Sequence, residues 1–206
     1  MAGATSPVLV AFGVGIALAA APGPVQAVLF AESVRGGLAR GLRALAGVHI
    51  AFGVLMLALA LGLSVAAPHG LALRILKVAG GLLLLWLAID GIRSRGPSGQ
   101  RVNGRRRLPP TFRGALAIIL NPGGWLFLGA VASPLLASAA QRGGTGIAVV
   151  AATALVVGAS LGDLGVVVMG GVGVRRVGER LRRYIRLILA AVLAGIGLWL
   201  LLSGML

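Results

Sequence analysis

The sequence predicts an all-α polytopic membrane protein: six transmembrane helices arranged as a 3+3 inverted repeat, with the first and fourth spans broken at Pro-Gly. Three observations carry that expectation. Hydrophobic residues make up 58% of the 206 positions and charged residues only 11%, too little polar surface to coat a water-soluble globule of this size. The apolar residues fall into six continuous runs rather than alternating ones, so helices, not barrel strands, satisfy the backbone in lipid. Two Pro-Gly pairs, at Pro22-Gly23 and Pro122-Gly123, interrupt corresponding runs.

The runs cover residues 7–30, 42–66, 71–92, 115–138, 146–173 and 185–202. A hydrocarbon core about 30 Å thick takes about 20 residues of helix, so each run suffices, with tilt or interruption in the longer ones. The first run ends in small residues, Ala19-Ala20-Ala21, but no Lys or Arg occurs before Arg35. A secretory leader carries positive charge ahead of its apolar stretch, so this run is expected to remain as a span.

Charge orders the spans. Of 19 basic residues, Arg35, Arg40 and Arg43 fall between runs one and two. Arg93, Arg95, Arg101, Arg105, Arg106, Arg107 and Arg113 fall between three and four. Arg175, Arg176, Arg180, Arg182, Arg183 and Arg186 fall between five and six. The opposite side has Arg74, Lys77 and Arg142. The positive-inside rule places the arginine-rich loops in the cytoplasm and both termini outside a plasma (inner) membrane. The net charge of +15 is thus spent on topology, and no basic face with groove-reading elements indicates a nucleic-acid partner. The run from Arg175 to Arg186 is read as loop charge, with an amphipathic surface helix as the alternative.

A Gly-, Pro-, Ser- and Arg-containing stretch, residues 96–111, forms a basic cytoplasmic linker. It divides a single membrane domain, 1–206, into three-helix halves at 1–95 and 112–206. An odd number of spans per half requires the second to be inverted. Each half begins with an interrupted span: Ala21-Pro22-Gly23-Pro24 in the first, Asn121-Pro122-Gly123-Gly124 in the fourth. Proline lacks the N–H that would bond the carbonyl four residues back, and glycine lets the backbone leave helical geometry. Paired interruptions of this kind point to a transport site formed by half-helix ends. The expected substrate-binding residues are Pro22, Gly23, Pro24, Gln26, Asn121, Pro122, Gly123 and Asp163.

Four acids exist. Asp163 stands deep in an apolar run, where a charge costs about 2.5–3.5 kcal/mol and needs a cavity or partner; it is the leading site for a substrate ammonium or a proton, with a protonated, hydrogen-bonded residue that only helps the helices pack as the alternative. Glu32 and His49 are the other proton-coupling candidates, with an ion pair to Arg35 and a structural hydrogen bond as their respective alternatives. Asp90, near Arg93, is read as interfacial and Glu179 as a loop ion-pair partner. Gly158 and Gly162 make a G-x-x-x-G, a packing motif that admits a homodimer without arguing for one.

Cysteine is absent, which excludes thiol-relay redox chemistry and thiolate metal sites. His49 and His69 lie too far apart to form a metal motif. No nucleophile–base set or phosphate-binding loop indicates an enzyme, and nothing calls for a cofactor. The open classes are a carrier for a small-molecule substrate and a non-transporting membrane partner subunit; both partner with the lipid bilayer.

Several spaced elements occur in one order: Ala21-Pro22-Gly23-Pro24, Arg35-Gly36-Gly37, Gly41, Ala46-Gly47, Gly80-Gly81, Phe112-Arg113-Gly114 and Asn121-Pro122. On these the chain resembles the LysE/RhtB family of amino-acid exporters (LysE superfamily), over most of residues 15 to 130. The resemblance implies a six-helix carrier that exports amino acids or related metabolites on a proton or ion gradient. It also implies that Pro22–Pro24 and Asn121–Pro122 are the family's broken-helix motifs. Where relatives often carry lysine after Asn-Pro, this chain has Gly123-Gly124. The wider superfamily adds metal-ion and lipid-linked solutes as alternatives.

Overall fold

The structure is a computed structural model, and it describes residues 2–21, 23–62, 70–93, 108–173 and 179–205. No strand occurs among the described residues. Eight α-helices follow in order: α1 (Ala2–Ala20), α2 (Pro24–Gly36), α3 (Leu38–Ala60), α4 (Gly70–Arg93), α5 (Pro110–Ile119), α6 (Pro122–Phe127), α7 (Ser133–Val168) and α8 (Glu179–Met205). Short π-helical stretches, Leu128–Ala132 and Met169–Gly173, flank α7.

Large apolar side chains cover the outside, among them Ile50, Val54, Leu71, Ile75, Trp199 and Leu202. In water this surface would be an aggregation hazard; facing lipid it costs nothing. Four helical stretches are long and apolar enough to cross a membrane, and a fifth candidate joins α1 and α2 across a 65° bend. The chain is therefore a multi-pass membrane protein. One of the four, Pro122–Gly173, is 52 residues long, about 78 Å at 1.5 Å per residue and more than twice a bilayer core. Its helix is interrupted at Gly143 (φ −156°, ψ 24°) and Gly144 (φ 72°, ψ −176°). The second value lies in the region that favours glycine, because a Cβ there is strained.

The expected boundaries shift at several places. Run one is two helices, α1 and α2, and the latter continues to Gly36. The fourth run begins earlier than residue 115, because Pro110 opens α5 at a position where its missing N–H costs the helix no hydrogen bond. Pro110 and Thr111 thus belong to a helix rather than to the linker; linker residues 96–107 lie outside the described residues. The last helix starts at Glu179, six residues before the apolar run. The arginines from Arg180 onward therefore lie on a helical extension of the last span, while Arg175 and Arg176 lie outside the described residues.

Glycines set how the helices meet. A Cβ built on Gly15 of α1 would strike the carbonyl of Leu155 and approach the nitrogen of Ala159 on α7. One on Gly158 of α7 would strike the carbonyl of Phe12. A second contact has the same form. Gly114 of α5 meets the carbonyl of Ala44 and the nitrogen of Val48 on α3, and Gly47 of α3 meets the carbonyl of Thr111. Gly81 and Gly197 likewise bring α4 and α8 together. Backbones this close gain dispersion contacts over their whole length, the main attraction between helices where lipid removes the hydrophobic drive. The Gly158–Gly162 pair is used within the chain, against Phe12 and Ala19 of α1.

Candidate functional site

The two Pro-Gly breaks face one cavity of about 250 Å³. It is lined by Ala21, Gly23 and Pro24 of the first break, Asn121, Gly123 and Gly124 of the second, and Gln26, His49 and Asp163. Leu18, Val48, Phe52, Ile118 and Phe127 supply an apolar wall. Pro22 lies outside the described residues. Pro122 is buried at the start of α6. Residues 142 positions apart in sequence, from Ala21 to Asp163, thus share one small space.

Each break frees carbonyls, and side chains take them up. In the second, Asn121 sits in extended geometry (φ −89°, ψ 108°) and its Oδ1 accepts the Gly123 N–H at 3.1 Å, an N-cap for α6. In an unbroken helix that N–H would have bonded Ile119. The Ile119 carbonyl instead accepts the Trp125 indole N–H at 2.7 Å. In the first break the Ala19 carbonyl loses Gly23 in the same way and accepts from Gln26 Nε2 at 3.4 Å. Trp125 had no signal in the sequence beyond its position, 99 residues after Gln26.

The expectation that the break glycines let the backbone leave helical geometry is met at Gly23 and not at Gly123, which lies inside α6. Gly23 is extended (φ −165°, ψ −176°), a conformation open to any residue. The positive-φ glycines are Gly37, Gly62, Gly70 and Gly144, none of them in the breaks. A Cβ on Gly23 would touch only Gln26 Oε1, and one on Gly123 only Asn121 Oδ1, each at 3.4 Å. What glycine preserves here is cavity space.

Asp163, 4% exposed on α7, is the centre of the polar set. Its Oδ1 accepts a hydrogen bond from Gln26 Nε2 at 3.2 Å. Its Oδ2 lies 3.2 Å from His49 Nε2. That approach suits an ion pair when the imidazole is protonated, but its angle falls outside hydrogen-bond geometry; both ring nitrogens are buried without a hydrogen-bond partner. The pair brings together two candidates that the sequence could not link, from α3 and α7.

Glu32 lies elsewhere. It is 1% exposed, farther along α2 from the break, within a closed ring of charges. Arg35 Nη1 and Arg113 Nη1 reach Glu32 Oε1 at 3.3 and 3.1 Å. Arg35 Nη2 and Arg113 Nη1 reach Asp90 Oδ2 at 2.8 and 2.7 Å. Arg40 Nε adds a 2.6 Å contact to Glu32 Oε2. Arg113 is fully buried, donates to the Leu108 carbonyl at 3.0 Å, and lies 4.8 Å over the Trp86 ring. Asp90 thus has partners on α2 and α5. A charge without such partners would be prohibitively costly at this depth.

A bundle of apolar helices, broken in two places around a polar cavity, is the build of a multi-pass membrane translocator. A family model described as LysE type translocator matches residues 16–204, and the chain belongs to that family, a transporter class rather than an enzyme class. The match runs well past residue 130, where the motif resemblance fades. No curated protein and no solved structure gives a significant match.

Proposed function

We propose that this chain is a secondary exporter that carries amino acids or related small metabolites out of the cytoplasm on the proton gradient. The observation that carries the reading is the convergence of both helix breaks, Gln26, His49 and Asp163 on one cavity. Half-helix N-termini offer backbone N–H groups to an anionic end of a solute, and Asp163 offers a carboxylate to a cationic end or to a proton. His49 stands beside Asp163 as a proton partner, whereas the arginine ring around Glu32 argues for a structural role there.

The reading includes six spans in two inverted halves. Counting α1–α2 as one broken span, α5–α6 with the helix up to Gly143 as another, and the rest of α7 as a third gives three spans per half. The glycine contacts support the inversion. Phe12 and Thr111, and Gly15 and Gly114, are 99 positions apart; Ala44 and Leu155, Gly47 and Gly158, and Val48 and Ala159 are 111 apart. A single pair of offsets maps the α1–α7 contact onto the α5–α3 contact. The arginine-rich loops support an orientation with the shared end of α2, α4 and α5 on the cytoplasmic side of a plasma membrane and both termini outside. Rocking of the halves then requires Arg113 to part from Glu32 and Asp90.

Efflux from preloaded proteoliposomes, with and without an imposed proton gradient, tests the reading. Wild type should release an amino acid faster with the gradient. Asp163→Asn should lose at least tenfold in rate while folding normally, since an amide oxygen still accepts from Gln26. Gly23→Leu should insert into the membrane and block release by filling the cavity. Gradient-independent release equal in all three proteins would end the proposal.

A further inference from the structure

We infer that the solute is a neutral amino acid with a compact apolar side chain, its ammonium at Asp163 and its side chain against Phe52 and Phe127. The inference rests on the exporter reading above and narrows it to a substrate class.

Charge inventory comes first. Among the described residues lining the cavity, Asp163 is the one carboxylate and no arginine or lysine is present. Glu32 and Asp90 are bound to arginines in a separate cluster. A solute with a second ammonium would bring a charge for which the cavity holds no partner, in a setting where lone charges are strongly disfavoured. The penalty corresponds to on the order of 100-fold in affinity. A solute with a second carboxylate meets the reverse problem, because no side-chain cation but His49 faces it.

The α-carboxylate is better served. α2 is 13 residues long and starts at the cavity with Gly23, without a side-chain cap. Its first free N–H groups, at Val25 and Gln26, lie on the cavity wall. α6 differs, since Asn121 already occupies the Gly123 N–H. Donors at the start of α2 and an acceptor at Asp163 therefore define one zwitterion-sized polar end. Half-buried His49, whose two ring nitrogens make no hydrogen bond although Nε2 lies beside Asp163, leaves hydrogen-bonding capacity there for a ligand or a water.

The remaining wall is hydrocarbon. Phe52 and Phe127 rings lie 6.4 Å apart, centroid to centroid, and Leu18, Val48 and Ile118 complete the surface. The helix offset of 111 makes Phe52 the counterpart of Asp163, so the two halves place opposite chemistries at equivalent points. At about 250 Å³ the space falls below the roughly 300–1,000 Å³ of drug-sized sites, which favours a compact apolar side chain.

The test is parallel efflux of labelled leucine, valine, methionine, lysine and glutamate from proteoliposomes holding wild type, Phe52→Asp or Phe127→Asp. Wild type should export leucine, valine or methionine at least tenfold faster than lysine or glutamate. Either variant puts a second carboxylate opposite Asp163 and should turn the preference toward lysine. Wild-type export of lysine or glutamate at rates equal to or above the apolar set would overturn the inference and leave the exporter reading intact. No export of any amino acid would overturn both. The wild-type panel decides even where a variant fails to insert.

Discussion

Removing Glu32 should damage the protein more than removing Arg113, although Arg113 is the more deeply buried and makes more kinds of contact. The ring holds three guanidinium groups, Arg35, Arg40 and Arg113, and two carboxylates, Glu32 and Asp90, a local charge of +1. Glu32→Gln raises it to +2, leaving Arg35 and Arg113 on Asp90 and Arg40 without its carboxylate. Arg113→Met lowers it to zero, with Arg35 still bridging both acids and Arg40 still on Glu32. Breaking a buried pair by removing one partner costs roughly 3–5 kcal/mol, the figure expected for Glu32→Gln. Arg113→Met loses the Trp86 contact and the Leu108 hydrogen bond but keeps the acids neutralised, for about 1–2 kcal/mol. At 2–4 °C per kcal/mol for a chain of this length, the melting point should fall about 6–20 °C in the first variant and about 2–8 °C in the second. The double variant returns the charge to +1 and should melt no lower than Glu32→Gln alone. Thermal unfolding in detergent, followed by circular dichroism, measures all three. A lower melting point for Arg113→Met than for Glu32→Gln, or strictly additive losses in the double variant, would refute the charge-balance argument.

Other expectations follow from single contacts. Gly47→Ala should abolish folded protein in a detergent size-exclusion assay, because its Cβ would fall on the Thr111 carbonyl. Gly53→Ala, with nothing within 4 Å, should be neutral or stabilise by about 0.5–1 kcal/mol in thermal unfolding. Asn121→Ala should cost about 1 kcal/mol by removing the α6 cap, and Asn121→Ser should recover most of it on the same melting curve. Trp125→Phe should cost about 0.5–1.5 kcal/mol, since the Ile119 carbonyl loses its donor while an aromatic ring is kept at the site.

Much of the frame was legible because lipid imposes it. Apolar run length points to membrane-crossing helices and the two Pro-Gly pairs to the breaks between helices, and an aspartate at position 163 inside such a run must face something polar. The partners were not legible. His49 and Asp163 are 114 positions apart, and only the packing of α3 against α7 brings them within 3.2 Å. Glu32 is a partial exception: its sequence position allows proton coupling or an ion pair to Arg35, and the ion pair is present. The rest of its surroundings depend on Arg113 arriving from α5, which no local pattern foretells. The glycines of the breaks were partly legible: Gly23 does leave helical geometry, though in a conformation open to any residue, and the contacts add that its missing side chain leaves room.

The charge ring and the cavity divide the labour between the two ends of α2. Near Glu32 the helix is bound to α3, α4 and α5 by paired charges, while Arg113 Nη2 is buried there without a hydrogen bond. At Gly23 it begins uncapped, facing a space whose single carboxylate accepts from one amide and lies beside an imidazole that makes no hydrogen bond. The same 13-residue element is therefore charge-paired at one end and uncapped at the other. A solute that fills the second end adds hydrogen bonds there without touching the first. Such binding can drive α2 to move only if the ring's alternative partners are nearly as good as its present ones, and a ring with one surplus cation meets that condition. Arg40, the most exposed of the three arginines, can hold Glu32 when Arg113 departs, so opening exchanges one ion pair for another rather than stranding a buried charge.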